Sequence, residues 1–381
     1  RAQRIVMTGR EAAERLCDYL RSFMPSNQFA YFPSDEILPF DKGLFTPALY
    51  SQRMSALATA VENPTHILVT TPAALLRKVP QPSTFKENIL HLNKGEAFER
   101  ELLLEWLVDS DYERVDIIEE IGQFSARGGI VDVFSYESEV PCRIEYFDDT
   151  IESIREFDIL SQLSIQQLEK TRLLGTSDES GESTSVLNFL PDNCLIWWED
   201  KPRIQTQLER WWEDAATRFD NLEEKPVAKL TDRYVTLEET DKICSRFQQC
   251  QHLYLESSSS ALSFATRPPA AFHGNMKLFV EHLQRYINKR DIYVLHDGKN
   301  SRKRLEDILE AEMGTLPPLK FIDGELHNGF LLPDENIEIF TDHEIFNRLR
   351  MRRRKRKIRV SGSLIRNLQT LEYGDFVVHI D

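Results

Sequence analysis

The sequence lacks the signatures of nucleotide and hydrolytic chemistry. No G-x-x-x-x-G-K-[ST] loop occurs in its 381 residues, so nothing supplies the nest of backbone N–H groups and the lysine that ATP phosphates require. G-x-S-x-G, HExxH and GxGxxG are missing as well, which removes the nucleophile elbow, the zinc-protease helix and the dinucleotide loop. The five cysteines, Cys17, Cys142, Cys194, Cys244 and Cys250, form no CxxC pair. An odd, scattered set argues against a disulfide framework and for a reducing cytoplasm. Cys244, Cys250 and His252 lie close together, but a zinc site wants four ligands at tighter spacing, so no metal is expected. No apolar run approaches the roughly 20 residues that cross a bilayer, and the start of the chain carries no secretory signal. Basic charge is short too: 47 Lys and Arg against 62 Asp and Glu give a net charge of −15, which argues against generic nucleic-acid affinity.

What is present suggests several domains, since this length corresponds to roughly two to four. The first region alternates helix and strand signals. Glu11 to Phe23 is a helix with Ala12, Leu16, Tyr19, Leu20 and Phe23 on one face, Phe29 to Phe32 a strand, Gln52 to Val61 a helix, and Ile67 to Thr71 a buried strand running into Pro72 and the helix Ala73 to Arg77. That alternation predicts a parallel α/β sheet. Glu99 to Val108 then reads as an amphipathic helix and Val115 to Phe157 as mostly strand, a compact α+β unit. Thr176 to Ser185, rich in Ser, Glu and Gly, reads as a linker. Strand signals resume at Cys194 to Trp198, ahead of a helix around Leu208 to Phe219. A further α/β unit is predicted from the helix Met276 to Ile287, the strand Ile292 to His296, the helix Ser301 to Glu312 with Ser301 as N-cap, and the strand Ile337 to Thr341.

Carboxylate pairs such as Glu119-Glu120, Asp148-Asp149 and Glu238-Glu239 read as solvated surface turns. Glu199-Asp200 follows the apolar strand Cys194 to Trp198, where a helicase places Asp-Glu to hold magnesium and polarise water. Here the order is reversed and no partner phosphate loop exists, so a structural role is expected. Arg350, Arg352, Arg353, Arg354, Lys355, Arg356, Lys357 and Arg359 crowd one short stretch. It reads first as a solvated linker or helix face, with contact to DNA or an acidic protein surface as the alternative. The chain begins at Arg1 and stops inside the strand-like run Phe376 to Asp381, so it reads as a fragment of a longer polypeptide.

The most informative stretch is Arg127-Gly128-Gly129-Ile130-Val131-Asp132-Val133-Phe134, followed by Arg143-Ile144-Glu145-Tyr146-Phe147-Asp148-Asp149-Thr150-Ile151-Glu152-Ser153-Ile154-Arg155. Two glycines permit a tight turn that a Cβ would obstruct, the β-branched and aromatic segments favour strands, and Asp148-Asp149 sits between two of them as a hairpin turn. This segment resembles the second domain of the excision-repair protein UvrB and of the transcription-repair coupling factor, where the strand surface docks UvrA. Leu38-Pro39-Phe40-Asp41, Ser51-Gln52-Arg53 and Val69-Thr70-Thr71-Pro72-Ala73-Ala74-Leu75-Leu76 resemble the first domain of the coupling factor. Gly329-Phe330 with Leu332-Pro333, Thr341-Asp342 with Glu344-Ile345-Phe346, and Leu368 through His379 resemble the stretch leading into its RNA-polymerase-interacting domain, which UvrB does not have.

The resemblance implies a multidomain α/β fold: a UvrB-like degenerate helicase-type parallel-sheet domain over 1–85 and 176–268, an inserted α+β UvrA-binding domain over 86–175, a small α/β domain over 269–346, and a basic linker with the start of the polymerase-interacting domain over 347–381. It implies a non-catalytic, cytoplasmic segment that recruits UvrA to RNA polymerase stalled at DNA damage. ATP, magnesium, DNA and RNA polymerase would then be engaged by other domains of the parent protein; the alternative is an ATP-dependent UvrB-type helicase subunit. It also carries UvrA binding onto Arg127, Arg143 and Phe147. Arginine suits bidentate pairing with carboxylates and an exposed aromatic suits an interface anchor, although Phe147 could equally be core and Arg127 a brace for its own turn. Alanine at any of the three is expected to weaken UvrA binding with the fold intact.

Overall fold

The computed structural model describes residues 3–25, 28–34, 39, 47–63, 65–175, 182–222, 226, 229–252, 265–296, 298–324 and 326–347. Residues 350–359, 368–379 and most of the linker, 176–181, lie outside that set, as do Leu38, Phe40 and Asp41. The chain divides into two compact units: one holds the residues up to Leu90, Tyr136–Glu139 and the described residues from Arg172 onward, and the other holds His91–Ser135 and Val140–Thr171.

The first unit opens with β1 (Gln3–Val6), α1 (Arg10–Phe23), β2 (Phe29–Phe32), α2 (Pro47–Glu62), β3 (Ile67–Thr70), α3 (Pro72–Leu76), β4 (Lys78–Pro80), α4 (Pro82–Glu87) and β5 (Ile89–Asn93). Sequence periodicity gives no sign of β1, which has only four residues, two of them polar, yet it becomes the central strand. The buried line of α1 is Ala13 and Cys17, flanked by Leu16 and Leu20. Phe23, expected on that face, is 54% exposed. Two residues of the resembling motif Ser51-Gln52-Arg53 act as clamps. Arg53 is buried and donates to Pro33 O at 2.9 Å, and Ser51 Oγ donates to Ser138 O at 2.9 Å. Beside Ser138, the buried Glu137 accepts from Arg172 Nε at 2.6 Å, and Arg172 also reaches Glu62 at 2.5 Å.

The second unit contains α5 (Arg100–Asp109), β6 (Glu113–Arg114), β7 (Gln123–Arg127), β8 (Ile130–Val133), β9 (Cys142–Phe147), β10 (Thr150–Phe157) and β11 (Ser164–Leu168). The strands form one sheet in the order β11-β10-β9-β8-β7-β6, antiparallel except for the short β6–β7 pair. Alternation divides its residues between two faces. One carries Phe124, Val131, Val133, Ile144, Ile151 and Ile154, all buried. The other is the polar face described below.

The chain returns through β12 (Lys170–Leu174), which pairs with β5, and β13 (Ser183–Ser185), which pairs with β4. The last residues of the expected linker are therefore a strand. Next come β14 (Leu195–Trp198), α6 (Lys201–Asp220), α7 (Leu230–Arg233), α8 (Leu237–Cys244) and β15 (Gln248–Gln251). They complete a parallel sheet in the order β15-β14-β1-β3-β2. Cores cover it on both faces, as a parallel sheet requires: Ala13 and Cys17 of α1 pack with Phe29 and Val69, while Val6, Phe32, Leu68, Ile196 and Trp198 pack with α2, α3 and α6.

A second α/β core follows, built from α9 (Met276–Tyr286), β16 (Asp291–His296), α10 (Gly298–Met313), β17 (Lys320–Asp323), β18 (Phe330–Leu332), β19 (Ile337–Phe340) and α11 (Asp342–Phe346). Its sheet runs β17-β16-β19-β18, with only β18 antiparallel, over Phe279, Leu283, Val294, Leu309 and Phe340. α10 begins before Ser301, so that residue is not its N-cap; its hydroxyl lies 3.3 Å from Asp342 Oδ2. The buried Glu344 accepts from Gly329 N, Thr341 N and Thr341 Oγ1 at 3.0, 2.8 and 2.7 Å. One carboxylate thus ties the residue before β18 to the cap of α11.

Candidate functional site

The two hairpin tips of the six-stranded sheet meet through two glycines and a backbone bond. Arg127 pairs with Ile130 across the turn Gly128-Gly129. Gly128 has φ +56°, which L side chains rarely adopt. A Cβ on Gly129 would stand 2.9 Å from Tyr146 O, because Tyr146 N donates to Gly129 O at 2.8 Å. That close approach pins the β7–β8 tip against β9 next to Phe147. The β9–β10 turn, Asp148-Asp149, closes the neighbouring tip, with Phe147 opposite Thr150 and Asp148 at φ 50°.

The register places Arg127, Arg143 and Phe147 on the same face. Arg127 faces Ile130, Ile130 faces Glu145, and Asp132 faces Arg143. Arg143, Glu145 and Phe147 then follow at the two-residue period of β9. Arg127 is exposed, and Phe147 is 68% exposed, so the core reading of Phe147 does not describe the fold.

Arg143 sits elsewhere on the face, four residues and about 13 Å along the strand from Phe147, and it is occupied. Its Nε and one terminal nitrogen donate to the two Asp132 oxygens at 2.7 and 2.9 Å, and its guanidinium lies 4.6 Å from the centre of the Phe157 ring. A weaker contact runs to Gln162 at 3.4 Å. Hydrogen bonding to Asp132 raises the already high pKa of Arg143, so the guanidinium stays charged. With its N–H donors turned to Asp132 and Gln162 and the side chain 20% exposed, Arg143 is first a positioning residue that fixes β9 to β8. Along the strand, Glu145 accepts from Ser153 Oγ at 2.6 Å and pairs with Arg155. The face is thus a braced polar lattice that presents one cation and one aromatic at its open end.

Asp132, Gln162, Arg155 and Phe157 were not singled out from sequence. Asp132 lies within the Arg127–Phe134 motif, but its role emerges only from cross-strand register. Glu199 and Asp200 hold structural positions: Glu199 Oε2 accepts from Thr8 N and Oγ1 at 2.6 and 2.7 Å, and Asp200 caps α6 by accepting from Arg203 N at 3.2 Å.

The UvrB interaction domain family matches residues 90–178, the stretch that holds the six-stranded sheet. The chain is 24% identical to the transcription-repair-coupling factor of Bacillus subtilis (strain 168), a similarity that covers 97% of this chain and 38% of that protein. The transcription-repair-coupling factors of Staphylococcus aureus strains RF122 and USA300 are each 23% identical with the same coverage. The chain therefore spans well under half the length of the relatives it matches. A UvrB interaction domain match thus lies within a similarity to transcription-repair-coupling factors that runs along nearly the whole chain.

Proposed function

We propose that this chain is the docking segment of a transcription-repair coupling factor: it captures UvrA and brings it to RNA polymerase stalled at DNA damage, in nucleotide excision repair. The observation that carries the reading is the joint exposure of Arg127 and Phe147 on one face of a braced sheet, inside the stretch matched by the UvrB interaction domain. An exposed guanidinium supplies bidentate recognition of a carboxylate, and an exposed ring beside it supplies an anchor that a partner pocket can desolvate. Arg143 and Asp132 hold β9 and β8 in register on the same face, so little ordering remains to oppose binding.

In this reading the five-stranded parallel sheet is a helicase-type domain that has lost its ATPase, and the segment is non-catalytic and cytoplasmic. ATP and magnesium serve DNA translocation in other domains of the parent, which also contact DNA and RNA polymerase. The basic stretch 350–359 is a linker toward the polymerase-interacting domain. The test is a calorimetric titration of the chain with UvrA, with Arg127→Ala and Phe147→Ala beside the parent, and an ATPase assay with DNA in parallel. Binding that both variants weaken, without ATP turnover, supports the reading. Turnover that tracks this chain would favour the UvrB-type helicase subunit instead.

A further inference from the structure

The loop between β1 and α1, far in sequence from the docking face, already holds an anion of its own. Glu199 follows β14, which lies beside β1, and Glu199 N donates to Val6 O at 3.0 Å. That bond brings the side chain over the loop, where Oε2 accepts from Thr8 N and Thr8 Oγ1. Gln207 of α6 holds the loop from another side, donating to Thr8 O at 2.9 Å; its Oε1 is buried without a hydrogen-bond partner. Thr71, which follows β3 on the opposite flank of β1, is 3% exposed and its hydroxyl also has no partner.

The chemistry of this place is specific. It lies at the carboxyl end of a central parallel strand, directly before a 14-residue helix whose N-cap, Gly9, offers no side-chain bond. A backbone N–H and a hydroxyl converging there form the kind of donor set that phosphate oxygens take in α/β proteins, and the helix dipole favours negative charge. Glu199 supplies that charge from within the chain. Being tethered, it loses no translational freedom on binding, whereas an external anion would. A second anion in the same seat would also meet like charge at short range.

We propose that the β1–α1 loop is an anion-binding loop whose ligand is the Glu199 carboxylate, and that this internal ligand keeps phosphate-bearing molecules out. The inference deepens the non-catalytic reading of the parallel-sheet domain and rests on it. Removing the carboxylate opens the seat, while the unpartnered Thr71 hydroxyl leaves donor capacity at the same sheet edge.

The test uses Glu199→Ala and Glu199→Gln in the whole chain, titrated with inorganic phosphate and pyrophosphate against chloride at matched ionic strength, read by melting temperature and calorimetry. The parent should show no phosphate-specific response. Glu199→Ala should melt lower than the parent in chloride and gain saturable binding at least ten-fold tighter than any the parent shows, and adding Thr8→Val should remove the gain. Should the alanine variant not fold, Glu199→Gln keeps the shape without the charge and is expected to show a smaller gain. A folded variant with no phosphate-specific response, or a parent that binds phosphate as well as the variants do, overturns the proposal. UvrA binding by Glu199→Ala should match the parent, so failure here and failure of the docking reading are separate results.

Discussion

Replacing Arg143 with alanine is expected to destabilise the sheet, which departs from the expectation that alanine at each docking residue leaves the fold intact. Asp132 is 3% exposed, and both of its oxygens are held by Arg143 at 2.7 and 2.9 Å. Without the guanidinium, a carboxylate stays buried and uncompensated, which costs about 3–5 kcal/mol when one partner of a buried pair is removed. The stacking over Phe157 at 4.6 Å is lost as well. For a unit of this size, each kcal/mol lowers the melting temperature by roughly 4–8 °C, so the fall should be at least about 12 °C. Differential scanning calorimetry measures it. Asp132→Asn in the Arg143→Ala background removes the stranded charge and should recover a large part of the loss, so the double-mutant cycle shows strong coupling. An Arg143→Ala protein that melts within about 2 °C of the parent would refute the buried-pair argument, because that corresponds to less than roughly 0.5 kcal/mol.

Three further outcomes are expected. Gly129→Ala places a Cβ 2.9 Å from the Tyr146 backbone oxygen, and the hairpin tip must shift; chemical denaturation should show a loss of about 1–3 kcal/mol. Burial raises the Cys142 thiol to about 12, and Cys17, Cys194 and Cys244 are buried too, so a thiol reagent at pH 8 should label Cys250 first and the other four only after denaturant is added. Burial alone would raise the pKa of Glu338, but His282 and Arg290, each 3.0 Å from its carboxylate, outweigh burial and hold it low. Its contribution to stability is therefore present above the unfolded value, roughly 4.3, and lost as pH falls through the lower folded value. Glu338→Gln should be less stable than the parent at pH 7 and should show a flatter acid limb in pH-dependent denaturation.

The local pattern of the docking sheet was legible in the sequence. Arg143, Glu145 and Phe147 alternate with Ile144 and Tyr146, and the Gly128-Gly129 turn reads directly from composition. What joins those strands was not legible, because Asp132 meets Arg143 only once register is set, and the use of Gly129 depends on Tyr146 lying opposite. The same limit explains β1. Four residues at the start of the chain carry too little periodicity to be called a strand, and their place between β3 and β14 depends on partners up to about 190 positions away, as the Thr8–Glu199 bond across 191 positions illustrates. In α1 the apolar residues Ala12, Ala13, Leu16, Cys17, Tyr19, Leu20 and Phe23 fill more than one face, so sequence could not decide which line turns inward; packing against Phe29 and Val69 selected Ala13 and Cys17. Ser183–Ser185 lies beside a polar stretch that reads as linker, and only its pairing with β4 makes it a strand.

The most direct test of the docking reading is UvrA affinity measured beside melting temperature for Arg127→Ala and Phe147→Ala. Phe147 is 68% exposed, so truncating it removes only a minor share of the roughly 1.5–3 kcal/mol that full burial of a phenylalanine brings, and Arg127 is exposed as well. Both variants should melt within a few degrees of the parent. Each should bind UvrA at least about ten-fold more weakly, the loss expected of an interface anchor worth roughly 1.4 kcal/mol or more, and the Arg127 effect should shrink as salt rises. Two variants that melt normally and bind UvrA as tightly as the parent would contradict the account.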